Sequence, residues 1–326
     1  MSTALVTGAD GFIGSHLVQR LIAEGDSVRA MCVYNSTGSV GWLADLPEDE
    51  RAAVDVQFAD VRDAERVRDL VAGVDVVYHL AALIAIPYSY VSPRSFVETN
   101  VVGTLNVLEA ARTAGTSRVV HTSTSEVYGT PQTVPIDEGH PLHGQSPYSA
   151  SKIGADMLAE AWSRSFEVPV TVLRPFNTYG PRQSARAVIP VVLGQMLAGA
   201  EEIRLGSLDT RRDFTYVTDT VDGFVRAARA PLGAAGEVIQ LGTGRDVSIG
   251  ELVELCRAVT GSSAQVVLDA DRVRPAASEV ERLLSSPARA LDRLGWAPQV
   301  SLEDGLARTA DWLRRADLRA AATYQL

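Results

Sequence analysis

The sequence is poor in the residues that mark several common protein classes. It has two cysteines among 326 residues, Cys32 and Cys256, and they are far apart and outside any metal-ligand spacing. We therefore expect neither a disulfide framework nor a metal site. Lysine and arginine together number 30 against 40 aspartates and glutamates, which gives a net charge of -10. Without a basic excess, nucleic acid and anionic membrane surfaces are not expected partners.

Long apolar runs are also missing. No run reaches the ~18 residues that a membrane-spanning helix needs, and no basic stretch followed by an apolar segment stands at the start. We expect a mature cytoplasmic protein. Apolar residues still make up 46% of the chain, which is enough to bury one large core or two unequal ones.

Apolar runs of strand length alternate with helical patterns through the first half of the chain. The strand-like runs are "ALVTG", "VRAMCVY", "VDVQFAD", "VDVVYHLAA", "SRVVHTSTS" and "PVTVLRP". Continuous apolar runs suit strands buried on both faces, and alternation with helices predicts a parallel, doubly wound α/β sheet. Six strands are predicted by Pro175, and "GEVIQLGTG" is predicted to return to the same sheet.

The rhythm of the pattern loosens after Pro175, which predicts a second and smaller α/β unit interleaved with the first. We assign residues 1–175 and about 215–243 to a dinucleotide-binding domain. Residues 176–214 and 244–316 are assigned to a substrate domain, and residues 317–326 to a tail.

Three glycines follow the first strand in "VTGADGFIGSHL". The spacing of Gly8, Gly11 and Gly14 is GxxGxxG, and a helical pattern follows directly. Glycine permits a tight turn, and the backbone amides at a helix N-terminus can then approach a pyrophosphate. The motif predicts a dinucleotide site, and a tight turn without a ligand is the alternative.

The adenosine end of that dinucleotide lacks its usual partner. An acidic residue is expected about 20 positions after the glycines, but Cys32 stands there. We predict recognition through Asn35 or Ser36 instead. No basic residue follows the strand to bind a 2′-phosphate, which favours NAD over NADP. Asp60 and Val61 end a later strand and are predicted to hold the adenine, with a helix-capping role for Asp60 as the alternative.

A tyrosine and a lysine lie four residues apart in "YSASK". Tyr148 and Lys152 therefore share one helix face, and the lysine is expected to lower the tyrosine pKa so that the phenolate can take a proton from a sugar hydroxyl. Thr124, 24 residues earlier, suits a hydrogen bond to the same substrate oxygen. The histidines His79, His121, His140 and His143 are read as packed or non-ligating residues.

Five motifs together resemble the extended short-chain dehydrogenase/reductase family of nucleotide-sugar epimerases and dehydratases. They are "TGADGFIG", "HLAA", "STSEVYG", "YSASK" and "RPFNTYGPRQ". The resemblance implies a Rossmann-type sheet with NAD, a small C-terminal domain closing over a nucleoside-diphosphate sugar, and a homodimer through a four-helix bundle. It implies that Tyr148 is the base, Lys152 its partner and a ribose ligand, and Thr124 the third member.

The same resemblance extends the predicted sites. The predicted cofactor-binding residues are Gly8, Gly11, Phe12, Ile13, Gly14, Asn35, Ser36, Asp60, Val61, Leu80, Ala81, Ala82, Asn100, Thr122, Tyr148 and Lys152. The predicted substrate-binding residues are Ile86, Tyr88, Asn177, Arg186, Val188, Arg212 and Arg274.

Glu126 decides which reaction the resemblance favours. A 4-epimerase needs no further acid or base after Thr124, whereas a 4,6-dehydratase needs a carboxylate to remove the C5 proton. Ser125 stands where dehydratases of the dTDP-glucose type carry an aspartate, while GDP-mannose 4,6-dehydratases and UDP-glucuronate decarboxylases share the Thr-Ser-Glu triplet.

Three longer segments are "LIAIPYSYVSPRSFVETNVVGTLNVLEAAR", "HTSTSEVYGTPQTVPIDEGHPL" and "GQSPYSASKIGAD". Together they resemble NAD-dependent 4,6-dehydratases of the legionaminic acid pathway type. This predicts catalysis by Thr124, Ser125, Glu126, Tyr148 and Lys152 on UDP- or GDP-N-acetylglucosamine. A 4-epimerase, a UDP-glucuronate decarboxylase and a nucleotide-binding regulator are the alternatives. No basic residue precedes Arg94 in "LIAIPYSYVSP" to hold a substrate carboxylate, which disfavours the decarboxylase.

Overall fold

A seven-stranded parallel sheet is the centre of the computed structural model, which describes residues 2–231, 236–269 and 278–316. The strands along the chain are β1 (Thr3–Thr7), β2 (Ser27–Cys32), β3 (Val54–Phe58), β4 (Val76–His79), β5 (Arg118–Thr122), β6 (Val170–Pro175), β7 (Asn177–Tyr179), β8 (Glu202–Leu205), β9 (Arg211–Tyr216), β10 (Val238–Leu241), β11 (Asp246–Ser248), β12 (Gln265–Leu268) and β13 (Arg282–Leu283). The central sheet has the order β10-β6-β5-β4-β1-β2-β3, and every pairing in it is parallel. The predicted doubly wound sheet, including the return of "VIQL", is confirmed.

The α-helices lie on both faces of this sheet and in the smaller unit. They are α1 (Phe12–Ala23), α2 (Glu48–Ala52), α3 (Ala64–Val71), α4 (Ile86–Val91), α5 (Pro93–Phe96), α6 (Gly103–Ala114), α7 (Pro147–Phe166), α8 (Val188–Leu197), α9 (Val217–Arg229), α10 (Ile249–Thr260), α11 (Ala288–Leu294) and α12 (Leu302–Arg315). A π-helix spans Val97–Val102, and 3₁₀ helices span Gly41–Asp45 and Ser125–Tyr128. The predicted helix over "NVVGTLNVLEAARTAG" is therefore π-helical at its start.

Two apolar cores form because the central strands are buried on both faces. Every residue of β6 is buried, as the continuous apolar run predicted. On one face α1 and α9 pack through Leu17, Leu21 and Phe224. On the other face α3, α6 and α7 pack through a second set of buried side chains, which includes Val67, Val107, Leu108 and Ala159.

Smaller sheets follow the sixth strand. Strand β9 pairs antiparallel with β11 and parallel with β7 and β13, and β12 pairs with β8. The predicted smaller unit contains these strands together with α8, α10 and α12. The domain boundaries stay a prediction. The predicted tail at 317–326 lies outside the described residues.

The strand register shows that β1, β4 and β5 end at the same level, next to the glycine loop that follows β1. Thr7 pairs with His79, and His79 pairs with His121. The loops that follow these strands therefore meet at one edge, where ligands of open parallel sheets bind. Within the described ranges, no helix has the length and apolarity needed to cross a membrane.

Candidate active site

The glycine loop after β1 leaves room for a ligand backbone contact. Gly8 has φ +68°, and a Cβ there would lie 2.9 Å from the Ala81 nitrogen. A Cβ on Gly14 would overlap the Gly8 carbonyl oxygen. Gly11 is the N-cap of α1 and has no side chain, so the helix begins without a side-chain cap on its first amides. Glycine at positions 8 and 14 therefore lets the loop pack closely against the segment after β4 and against the start of α1, the compact turn expected of a pyrophosphate cradle.

A buried hydrogen-bond chain fixes the loop after β4 to the glycine loop. The Thr104 hydroxyl donates to the Asn100 carbonyl (2.6 Å) and so accepts from His79 Nε2 (3.0 Å). His79 Nδ1 then accepts from Thr7 (2.9 Å). Thr7 Oγ1 in turn accepts the amides of Leu80 and Ala81, each at 3.1 Å. Burial lowers the pKa of His79 well below its usual value, so His79 is a neutral packed residue, consistent with its interpretation from the sequence.

Asn100 lies in the π-helix and holds the same loop further along. Its carboxamide accepts the Leu83 amide (2.8 Å) and donates to the Leu83 carbonyl (2.9 Å) and to Ser151 Oγ (2.9 Å). Ser151 donates to the Tyr148 carbonyl at 2.7 Å. The structure therefore places Asn100 as a clamp between the loop and α7. The wide turn of a π-helix, often found at functional sites, positions it.

The predicted adenosine residues lie after β2 and β3. The Asn35 side chain accepts the amides of Thr37 and Ser39 and so orders its own loop, which includes Ser36. The Asp60 carboxylate is paired with Arg62 at 2.6 Å, and this hydrogen bond lowers the Asp60 pKa. The alternative in which Asp60 caps the next helix is wrong.

The cap of α3 is Asp63, which accepts the Arg66 amide. Val61 is buried and lies against Gly103, where a Cβ would be 2.7 Å from a Val61 methyl group. Val61 therefore sets the close contact between the loop after β3 and α6.

Tyr148, Thr124 and Glu126 come together at the end of β5. Tyr148 begins the first turn of α7 and is buried against Phe96 and Ile86. Burial raises the Tyr148 pKa, a hydrogen bond to the Thr124 side chain lowers it, and the nearby charge of Glu126 raises it. The 3₁₀ helix that begins at Ser125 creates this proximity, because Thr124 caps it and accepts the Glu126 amide at 3.3 Å. Ser125 is buried beside them.

Lys152 is the only lysine in the sequence and is buried. Its ammonium donates to the Thr122 carbonyl at 2.6 Å, and burial lowers the Lys152 pKa to about 8, with Asp156 acting in the opposite direction. The expected lowering of the Tyr148 pKa by Lys152 is not found, because burial is the largest influence on that pKa and raises it. The hydroxyl of the same residue, Thr122, is buried without a protein partner.

Asp156 lies one helical turn after Lys152 and was not anticipated from the sequence. Its carboxylate is fully buried and accepts from His121 (3.2 Å), Ser123 (2.6 Å) and Arg174 (3.0 Å). Burial alone would raise the Asp156 pKa, but the His121 hydrogen bond and the Arg174 charge hold it below its usual value. The KxxxD spacing on one helix face is the only sequence signal for this group.

Beyond Asp156, Arg174 donates to the Tyr128 hydroxyl at 3.1 Å, and Gln240 donates to the same hydroxyl at 2.8 Å. The hydrogen-bond network therefore runs from Asp156 through Tyr128, at the end of the 3₁₀ helix, to Gln240 in β10. It braces the turn that presents Glu126.

The predicted substrate residues lie on several separate elements. Ile86 is buried against Tyr148, whereas Tyr88 is exposed on α4. Asn177 in β7 donates to the Asp213 carbonyl at 3.4 Å, and Arg212 in β9 is paired with Glu279 at 3.1 Å. Arg186 is exposed before α8, which begins at Val188. Arg274 lies outside the described residues.

These features define a class of site. The overlap at Gly14, the close approach of Gly8 to Ala81, and the unpartnered hydroxyl of Thr122, whose carbonyl accepts from Lys152, fit a nicotinamide dinucleotide laid across the edge of the sheet. The buried Tyr148 and Thr124 pair is suited to proton transfer at a hydroxyl. The arrangement is that of a dinucleotide-dependent enzyme of the short-chain dehydrogenase/reductase type.

Comparison with known proteins identifies the family. The family described as GDP-mannose 4,6 dehydratase matches residues 5–309. The chain belongs to this family of NAD-dependent nucleotide-sugar dehydratases and epimerases. NAD is its cofactor. The predicted resemblance and cofactor are confirmed.

Relatives with different reactions are similar to this chain to the same degree. It is 35% identical over 317 residues to a UDP-glucose 4-epimerase of Mycolicibacterium smegmatis, covering 95% of this chain and 98% of the relative. It is 36% identical over 318 residues to a dTDP-glucose 4,6-dehydratase of Actinoplanes sp., covering 95% and 97%. The structure of DesIV, a dTDP-glucose 4,6-dehydratase of Streptomyces venezuelae solved with NAD and TYD bound, superposes with a TM-score of 0.84, 34% identity and coverage of 96% and 97%. The chain is a nucleotide-sugar dehydratase or epimerase.

Proposed function

We propose that the protein is an NAD-dependent nucleotide-sugar 4,6-dehydratase. The observation that carries the proposal is the placement of Glu126 within electrostatic reach of Tyr148, whose side chain is hydrogen-bonded to Thr124. A carboxylate at this point has no task in a simple 4-epimerase. It is the group needed to remove a proton from the carbon next to a newly formed ketone.

The residues divide the work between oxidation and elimination. Tyr148 takes the proton from the C4 hydroxyl while Thr124 holds that oxygen. Lys152, with its ammonium on the Thr122 carbonyl, supports the phenolate form and the ribose. NAD held at the glycine loop and by Lys152 would supply the hydride acceptor for C4 and the hydride donor for C6. Glu126 removes the C5 proton, which the C4 ketone has made acidic, and water leaves from C6.

The leaving C6 hydroxyl needs a proton. Ser125 stands where dTDP-glucose dehydratases carry an aspartate. A serine hydroxyl is too weak an acid to supply this proton alone. In this proposal Glu126, now a carboxylic acid after taking the C5 proton, gives that proton to the C6 oxygen, directly or through Ser125 and water. The proton count balances over the whole reaction. Protons leave O4 and C5, one proton joins the departing hydroxyl as water, and one is added back to C5 from solvent as hydride reaches C6.

The proposed substrate is UDP- or GDP-N-acetylglucosamine. Ile86 and Tyr88 are proposed to face the sugar, while Asn177, Arg186 and Arg212 are proposed to hold the diphosphate and nucleoside, with Val188 and Arg274. An arginine fork is suited to phosphate oxygens. Arg212 is paired with Glu279 at 3.1 Å, so substrate binding would exchange that partner for phosphate.

A 4-epimerase is the second candidate, and two observations favour it. Ser125 supplies no strong acid, and the 4-epimerase of Mycolicibacterium smegmatis is 35% identical to this chain. An epimerase would use Tyr148 and Thr124 in the same way and leave Glu126 idle.

Mass and isotope analysis of the product separates the two reactions. We expect UDP- or GDP-N-acetylglucosamine to yield a 4-keto-6-deoxy product lighter by one water, with one solvent deuteron at C5 when the reaction runs in heavy water. Glu126→Gln should lower turnover by roughly 100-fold or more, the range for losing a positioned base, while bound NADH still accumulates from the C4 oxidation.

The exposed Glu254 on α10 provides a matched control, since Glu254→Gln removes a carboxylate far from this edge. Ser125→Asp should increase elimination by supplying the missing acid. A product of unchanged mass from the unmodified enzyme, or full turnover by Glu126→Gln, would contradict the dehydratase.

We also propose a homodimer in which each subunit contributes two helices to a four-helix bundle. The helical segments 97–114 and 147–166 pack together and expose apolar side chains. These are Val97, Val102, Met157 and Phe166, and Val91 lies nearby on α4. A second copy of the same surface would cover them, because isologous contacts match a patch with itself.

A further inference from the structure

The end of β2 carries no acid to recognise the adenosine ribose. None of the residues from Cys32 to Gly38 is acidic. The Cys32 thiol cannot replace one, because burial and the nearby Asp10 carboxylate raise the Cys32 pKa to about 12. Val33 and Tyr34 are exposed but uncharged, and Tyr34 packs edge-on against Phe58 with ring centroids 6.4 Å apart. The end of β2 is therefore apolar and open, and its own residues contribute no charge.

A carboxylate reaches this position from the glycine loop. Asp10 lies between Gly8 and Gly11, and the preceding residue, Ala9, docks alongside β2 through its amide on the Met31 carbonyl (3.2 Å). The Asp10 carboxylate accepts the Val33 amide, and the Asp10 amide bonds to the Cys32 thiol. Asp10 is half-buried, so the residue keeps some access to solvent.

The backbone of this loop is held from the other side as well. The Trp42 amide donates to the Asp10 carbonyl at 3.0 Å. A Cβ on Gly41 would overlap that same carbonyl oxygen, which leaves Asp10 little freedom to move away. The carboxylate is thus fixed at the carboxyl end of β2, where an acidic residue of that strand would otherwise accept hydrogen bonds from the ribose.

No free arginine on the neighbouring loops offsets this negative charge. The loop after β2 has no basic residue before Arg51. The basic residue after β3, Arg62, is paired with Asp60 at 2.6 Å and lies near Glu98 at 3.9 Å. A 2′-phosphate would meet a carboxylate without a compensating cation, whereas a 2′-hydroxyl could donate to it.

We infer that Asp10 is the specificity-determining residue for the adenosine ribose, where its carboxylate accepts the hydroxyls of NAD and repels the 2′-phosphate of NADP. At the end of β2, where no acidic residue stands, Asp10 of the glycine loop supplies the carboxylate. The inference rests on NAD as the cofactor and not on the reaction that follows. It also replaces Asn35 and Ser36 as the main contact, since Asn35 orders its own loop.

Direct titration of the full chain, freed of bound nucleotide, with NADH and NADPH tests this role through reduced-nicotinamide fluorescence. The Asp10→Asn variant keeps the shape of the side chain and an acceptor for the Val33 amide but removes the charge. We expect the NADH dissociation constant to rise about tenfold, as for loss of a charge-assisted hydrogen bond. The NADPH dissociation constant should stay unchanged or fall. The ratio of the NADPH dissociation constant to the NADH dissociation constant therefore drops at least about tenfold.

Asp75→Asn is the matched control, because Asp75 also accepts a backbone amide, that of Thr3 at 2.8 Å, but at the opposite edge of the sheet. It should leave both constants unchanged. If Asp10→Asn shifts the NADH and NADPH constants by the same factor, or shifts neither, the inference is wrong.

The unmodified protein offers a second measurement that needs no variant to fold. NAD that lacks the adenosine 2′-hydroxyl should bind more weakly than NAD, and equal affinity would also overturn the inference. No sugar nucleotide enters these titrations. A wrong reaction assignment would therefore leave the ratio of constants unaffected, while a wrong role for Asp10 would leave product formation intact.

Discussion

Neutralising Asp156 should destabilise the protein through the arginine it leaves behind. The Asp156 side chain is 0% exposed and its partner Arg174 is 2% exposed, so neither charge can be solvated once the pair is broken. Removing one partner of a buried ion pair costs about 3–5 kcal/mol. Asparagine can still accept one of the hydrogen bonds from His121, Ser123 and Arg174. We therefore expect Asp156→Asn to lower the free energy of unfolding by about 3 kcal/mol, near the lower end of that range.

Urea unfolding at neutral pH measures this loss. A double variant that also carries Arg174→Met removes both charges, and replacing a buried pair by apolar groups is often close to neutral. We therefore expect the double variant to be more stable than Asp156→Asn alone. Asp55→Asn, which affects an exposed pair with Arg29, is the control and should change the unfolding free energy by less than about 1 kcal/mol. A loss below about 1 kcal/mol for Asp156→Asn, or no recovery in the double variant, would refute the reasoning.

Two further predictions concern Lys152 and assembly. Burial lowers the Lys152 pKa from 10.5 to about 8, so between these values the unfolded chain binds more protons than the folded chain and stability rises with pH. Relative to Lys152→Met, the unfolding free energy should rise by about 3 kcal/mol from pH 8 to pH 10.5, and parallel pH profiles would contradict this. Light scattering should give the mass of a dimer, and Val97→Glu with Met157→Glu should yield monomers. A monomer for the unmodified protein would refute the proposed bundle.

The large sheet could be predicted from the sequence because strands buried on both faces are apolar along their whole length. Each central strand is a continuous apolar run, and even β10 was recognisable after a long interruption. The short strands β7, β11 and β13 have only two or three residues, too few for a periodic pattern, and they exist through pairing with β9. The π-helix at Val97–Val102 was also missed, because its hydrophobic pattern differs little from that of an α-helix.

The catalytic motifs were predictable for a different reason. Tyr148 and Lys152 are linked by helical spacing, and Thr124 by its place at a strand end. Asp10 and Asp156 could not be found in this way. Their roles depend on contacts with residues distant in sequence, such as Val33 and Arg174, which only folding brings together.

The single buried lysine has a practical consequence for anyone studying assembly. Every other basic side chain on this chain is an arginine or a histidine, so the folded surface offers no side-chain amine. Reagents that cross-link lysine side chains therefore have no exposed pair to join between subunits, so a lack of such cross-links is no evidence for a monomer. For the same reason, an amine-reactive probe can modify only one side chain, Lys152. The rate of that modification reports how accessible the nucleotide site is, without a signal from other side chains.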